Sequence, residues 1–202
     1  MQFRIRRRSV VKRIRLFALL PGFLLPFFAG YSVAADWDYQ TRRLFYGTYI
    51  GVDLGIINQY EVSLLAGYKI LPRWHAGIGG KYLYHYEKTV GNVFGAHLFG
   101  PAAFSDLIII KDLDELFPFR FIKGALFLHA EADLFSLPVR YFDHNSEHSG
   151  KNRFFEPVWL AGAGLRRQAG SHSYFHILLM MDLSGRSSII YSNPVLRFGF
   201  MF

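Results

Sequence analysis

The chain ends in Arg197-Phe198-Gly199-Phe200-Met201-Phe202, with phenylalanine at every second position and as the last residue. Side chains two apart on a strand share a face. Phe198, Phe200 and Phe202 therefore form one apolar row, and Arg197 and Gly199 lie on the opposite face. A strand that is apolar outside and small or polar inside is what a barrel wall in a membrane requires.

The same period of two runs back through the chain. Leu44, Tyr46, Thr48, Ile50, Val52 and Leu54 share one face, and Phe45, Gly47, Tyr49, Gly51, Asp53 and Gly55 share the other. The second face carries the glycines and the acid, so it is assigned to the lumen. Residues 56–59 read as a turn, with Asn58 supplying the turn chemistry. A second strand covers Tyr60 to Ile70, with Glu61, Ser63, Gly67 and Lys69 inward and Leu65 as an apolar exception. Leu71-Pro72-Arg73 is a tight turn. The third strand covers Trp74 to about Glu87, with His75, Lys81 and His85 inward.

A fourth strand begins near Val93 and extends toward Lys111, with a break expected at Gly100-Pro101. Its register is ambiguous, because Leu107 to Ile110 is apolar on both faces. The fifth covers Ala125 to Phe135, with Phe127, His129, Glu131 and Asp133 inward. The sixth covers Glu156 to Arg167. The seventh covers His172 to Asp182, with His176 and Asp182 inward. The eighth covers Ile189 to Phe202. The expected fold is all-β: an eight-stranded, antiparallel, up-and-down transmembrane β-barrel. An even strand count puts both termini on one side, so Ser136–Phe154 becomes a long loop on the other. Leu113–Gly124, containing Leu116-Phe117-Pro118-Phe119, falls on the side of the termini.

Soluble β-sandwiches and lipocalin-like barrels alternate too, but there the outer face carries the charges. Here the face opposite the apolar residues holds few charges and many Gly, His and Ala. Charged residues make up 19% of the chain, below the ~25% of an ordinary soluble domain.

Residues 1–35 hold seven bases and no acid, then an apolar run from Leu16 to Gly30, closing on Ser32-Val33-Ala34-Ala35. This is the pattern of a cleaved signal peptide, with cleavage after Ala34 or Ala35. Pro21 and Pro26 interrupt the run, which is short for a membrane helix. Residues 36–202 are then the barrel domain. Removing seven bases and no acid from a net charge of +8 leaves +1. The basic character belongs to the leader, and no surface remains that argues for nucleic acid. The absence of cysteine excludes disulfides and thiolate metal sites.

The terminal segment resembles the C-terminal assembly signal of Gram-negative outer-membrane barrels, carried here by Phe198, Phe200 and Phe202. With the leader and the period-two strands, the chain resembles the porin-like and outer-membrane-protein-A-like eight-stranded barrels. That resemblance implies an outer-membrane location, recognition by the barrel-assembly machinery, contact with outer-membrane lipids and lipopolysaccharide, and a monomer.

The inward faces collect Asp53, Glu61, His75, Lys81, His85, His129, Glu131, Asp133, His176, Asp182 and Arg197. Eight strands enclose a space just wide enough for side chains to fill, so a packed polar network is expected rather than a wide pore. A catalytic alternative rests on Ile190-Tyr191-Ser192-Asn193, which resembles the His-Tyr-Ser-Asn stretch of lipid A deacylases. Ile190 stands where the activating His belongs, which leaves Ser192 a weak nucleophile. His176 is the base that could meet such a serine. A metal alternative rests on Asp143, His144, Glu147 and His148 in the long loop, close enough in sequence to share an ion. No cofactor is expected. The expected role is structural or surface-interacting in the cell envelope, with a lipid A-modifying enzyme and a narrow channel as alternatives.

Overall fold

The computed structural model describes residues 43–53, 58–89, 92–115, 124–142, 151–170, 172–184, 190–191 and 193–202. The expected leader and the apolar stretch 116–119 lie outside the described residues.

Eight strands form the wall: β1 (Leu44–Asp53), β2 (Asn58–Leu71), β3 (Trp74–Thr89), β4 (Asn92–Ile110), β5 (Ala125–Pro138), β6 (Arg153–Gln168), β7 (Tyr174–Asp182) and β8 (Val195–Met201). Each pairs antiparallel with its sequence neighbour, and β8 closes onto β1. Closure removes the unpaired edge that an open sheet would expose. β1 begins and β8 ends at one rim, called here the terminal rim; the opposite one is the loop rim. A four-residue helix, α1 (Val139–Phe142), follows β5 at the loop rim.

The closing seam joins the two ends of the chain. Ile50 pairs with Phe198 and Thr48 with Phe200. Tyr46 and Phe202 exchange backbone hydrogen bonds of 3.1 and 2.7 Å. The outward row of phenylalanines thus lies beside the outward row of β1.

Polarity across the wall is inverted relative to a soluble barrel. Leu64, Ile78, Leu107, Leu128 and Leu179 are exposed on the outside, while Glu61, Lys81, Glu131, Asp133 and Arg197 are buried within. Aromatic residues gather toward both ends of the outer face: Tyr46, Tyr68, Trp74 and Phe202 toward the terminal rim, and Tyr60, Phe99 and Phe155 toward the loop rim. Such belts mark the two interfaces of a bilayer.

Two lumen glycines are set by close approach. Gly67 pairs with Phe45 and Gly199 with Tyr49, and each ring lies across the glycine opposite. A Cβ at either position would collide with that ring. Elsewhere, Gly124 has φ +155°, and its carbonyl accepts from Leu113 N at 3.0 Å. A Cβ there would press on the Arg166 carbonyl, so glycine suits this rim on both counts.

Several expected boundaries change. β4 continues through Gly100-Pro101 instead of breaking, because Pro101 pairs with Gly80 on β3 while no β5 partner is required at that point. Ile108 faces inward and Leu107 and Ile109 outward, which fixes the register that the apolar run left open. β2 starts at Asn58, inside the expected turn. β6 starts at Arg153 and β7 at Tyr174. The largest correction concerns β8, which begins at Val195 and not at Ile189. Pro194 has no N–H to donate to a ladder. Asn193 instead caps the end of β7: its Oδ1 accepts from Asp182 N at 2.7 Å, and its Nδ2 donates to Asp182 O at 3.2 Å. Ile190 and Tyr191, released from the wall, are buried inside the barrel.

Candidate functional site

The lumen is where the chain concentrates its chemistry. Period two sends His129, Glu131 and Asp133 of β5 inward together. β2 contributes Glu61 and Ser63, β3 contributes Lys81, and β8 contributes Arg197. Gly51 is paired with Glu61, and its missing side chain leaves room for that carboxylate.

Arg197 is fully buried and central. Its Nη1 lies 3.0 Å from each carboxylate oxygen of Glu131. Its Nη2 donates to Glu61 Oε2 at 2.8 Å and to the Tyr191 hydroxyl at 3.2 Å. Tyr191 in turn donates to Glu61 Oε2 at 2.8 Å, and Ser63 donates to Glu61 Oε1 at 2.9 Å. Lys81 Nζ pairs with Asp133 Oδ2 at 2.7 Å and directly with Glu131. His129 extends the row: Nε2 faces Glu131 Oε2 at 3.0 Å and Nδ1 faces Asp106 Oδ1 at 2.6 Å. Each ion here has lost its water, so the pairs replace solvation that costs several kcal/mol per ion.

Apolar side chains close the space on both sides of this cluster. Toward the terminal rim stand Phe45, Phe104, Ile108, Phe127 and Met201, with Phe104 stacked on the His129 ring at 6.0 Å between centroids. Toward the loop rim stand Leu83, Leu98, Phe135, Leu137, Leu160 and Ile190, with Phe142 of α1 edge-on to His85 at 5.6 Å. Buried charge thus sits in the middle of the barrel, with buried hydrocarbon on both sides of it.

The residues expected to share one network divide into separate groups. Glu61, Lys81, His129, Glu131, Asp133 and Arg197 form the central cluster. His75 stands apart near the terminal rim, with Arg166 Nη1 3.3 Å from its Nδ1. His176 meets the Tyr49 hydroxyl at 2.9 Å. His85 meets Gln59 Nε2 at 2.9 Å, and Gln59 also donates to the Ile190 carbonyl. Asp182 stays at the loop rim, where its Oδ1 accepts from Ser184 N at 2.9 Å. The side chain of Asp53 lies outside the description.

Of the catalytic candidates, His176 meets the Tyr49 hydroxyl, and Ser192 lies outside the described residues. Asp143, His144, Glu147 and His148 also lie outside them. Among the described residues, no group of three or more His, Asp or Glu is placed to hold a metal. Asp106, His129 and Glu131 form a hydrogen-bonded row, one carboxylate on each ring nitrogen, and not a convergent set.

Four members of the lumen were missed in the sequence: Asp106, Arg166, Gln59 and Tyr191. Asp106 belongs to the strand whose register was ambiguous. Arg166 sits in Leu165-Arg166-Arg167, where either arginine could face inward. Gln59 was read as turn. Tyr191 was read as wall, and only the inward fold after β7 brings it to Glu61.

No protein-family model and no curated protein matches the sequence. Among solved structures, a chain from the de novo design of transmembrane β-barrels is similar with a TM-score of 0.41 and 12% identity, over 79% of this chain and 92% of that one.

Proposed function

We propose that this chain is an integral barrel of a Gram-negative outer membrane, exported by a leader that is removed near Ala34–Ala35. Its lumen is a sealed polar core that holds the wall together, and its role in the envelope is structural or surface-interacting. The observation that carries this reading is the pairing of inverted polarity with a filled interior: apolar residues are exposed on the wall while Arg197 and its carboxylates are buried between two hydrocarbon caps. Ion pairs across the interior support a packed lumen over a wide pore. The terminal row Phe198, Phe200 and Phe202 is the segment that the barrel-assembly machinery would recognise, and closure of each chain onto itself favours a monomer.

The test combines three measurements on one preparation. Membrane fractionation followed by electrophoresis of boiled and unboiled samples should give outer-membrane material whose mobility changes on heating. Planar-bilayer recordings should be silent. Mass spectrometry of lipid A from cells with and without the protein should show one acyl pattern. Identical migration of boiled and unboiled protein would overturn the barrel in the membrane. Discrete conductance steps would favour a channel, and a changed acyl pattern would favour a lipid A-modifying enzyme.

A further inference from the structure

Near the loop rim, the outer wall carries a polar patch where apolar side chains otherwise run on. His97 and Phe99 face outward from β4, and Arg153 faces outward from β6 over Ser136 of β5. Arg153 is pinned flat to the wall. Its Nε donates to Ser136 Oγ at 2.8 Å, and its Nη2 donates to the backbone carbonyls of Ser136 and His97 at 2.6 and 2.9 Å. The guanidinium carbon lies 4.7 Å from the centroid of the Phe99 ring. These contacts occupy two of its three nitrogens, and among the described residues Nη1 makes no hydrogen bond. Among the described residues no carboxylate pairs with it. Beside it, His97 is exposed. Its Nδ1 sits 2.6 Å from the Tyr82 hydroxyl, which leaves Nε2 as the open ring nitrogen.

The depth of this patch matters. From Trp74, in the belt at the terminal rim, β3 climbs ten residues to Tyr84, which pairs with His97. At the tilt of a small barrel this is about 25 Å, the height of the apolar band. Arg153 and His97 therefore stand at headgroup level, with exposed Phe99 and Phe155 on the same stretch of wall. A guanidinium held in place, without a counter-ion among the described residues and bordered by hydrocarbon, matches a ligand that is anionic at its head and apolar in its tail. Arginine presents paired donors suited to phosphate oxygens.

We propose that Arg153 and His97 form a binding site for the phosphate of a lipid with a net anionic headgroup in the leaflet at the loop rim, with its acyl chains running over Phe99 and Phe155. The site rests on the membrane reading above. The exposed Phe99 and Phe155 that adjoin the patch favour a lipid over soluble phosphate.

The full chain, folded in micelles of an uncharged detergent, is titrated with dioleoyl phosphatidic acid, with dioleoyl phosphatidylcholine and with inorganic phosphate. Bound lipid is counted by native mass spectrometry, and heat-modifiable migration reports folding. Phosphatidic acid should be retained over phosphatidylcholine, inorganic phosphate should not displace it, and Arg153→Gln should weaken retention about tenfold, the loss of one charge-assisted contact. His97→Gln leaves the backbone carbonyl that holds Arg153 intact and should weaken retention several-fold; it also keeps the test open if Arg153→Gln does not fold. Equal retention by the wild-type chain and both variants, equal retention of the two lipids, or displacement by inorganic phosphate overturns the site while leaving the barrel standing. A chain that never embeds in micelles overturns both.

Discussion

Nη1 of Arg197 on β8 lies 3.0 Å from both carboxylate oxygens of Glu131 on β5, three strands away around the wall. One contact thus spans the lumen, and it ties the last strand to the middle of the chain. Because β8 also closes the barrel against β1, the cross-lumen pair and the seam hold the same strand from two sides.

Arg197→Met should therefore destabilise strongly. It leaves Glu61 and Glu131 with one cation fewer in a dry interior, and breaking a buried pair by removing one partner costs about 3–5 kcal/mol. Urea unfolding in detergent, followed by tryptophan fluorescence, measures the loss. A change within about 0.5 kcal/mol, typical of an uncoupled surface site, would mean that the cluster does not hold the wall.

The Lys81–Asp133 pair makes a sharper test of coupling. Lys81→Met and Asp133→Leu should each destabilise, and the double variant should lose less than the sum. Contacting charged groups show interaction energies of about 0.5–3 kcal/mol in such cycles. Strict additivity would contradict the 2.7 Å contact.

Tyr191→Phe removes one hydroxyl that donates to Glu61 and accepts from Arg197. It should cost about 1–3 kcal/mol, the range for leaving a buried polar partner unsatisfied. The same unfolding curve reads it. An unchanged midpoint would place Tyr191 outside the cluster.

Leu64→Arg separates a membrane wall from a soluble one. Leu64 is 67% exposed and lies midway along β2 between Tyr60 and Tyr68. An arginine at the midplane of a bilayer costs about 2–4 kcal/mol, whereas an exposed leucine in water tolerates it. Folding yield into phosphatidylcholine vesicles should fall for Leu64→Arg. An equal yield would argue that this face does not meet lipid.

Gly199→Leu tests the seam. The new side chain must displace the Tyr49 ring that crosses Gly199, and with it the 2.9 Å contact between Tyr49 and His176. Overpacking of this kind costs about 1–3 kcal/mol. A lowered thermal midpoint, read by the temperature at which the compact gel band disappears, is the expected outcome.

Much of the wall was legible because alternation is a local property. Each run from Leu44 to Gly51, from Tyr60 to Ile70 and from Ala125 to Phe135 carries its own inside and outside, and the burial of these residues follows that pattern. Legibility failed where local signals conflicted. Leu107 to Ile110 is apolar on both faces, so only pairing with β3 and β5 could decide that Ile108 faces in. Ile189 to Asn193 resembled more strand, but Pro194 and the cap that Asn193 provides for Asp182 end the wall there.

The sequence alone determined the strand count, the inverted polarity and the inward charges Glu61, Lys81, Glu131, Asp133 and Arg197, because a period of two needs no distant partner to be read; Asp106 and Arg166 escaped it. Which charge meets which was decided only by the tertiary structure. Arg197 reaches Glu131 and Glu61, His176 meets the Tyr49 hydroxyl, and Tyr191 enters the lumen from outside any strand. These contacts join residues more than sixty positions apart. They exist only once closure and stagger set the height of each strand against those across the barrel, and no local pattern encodes that height.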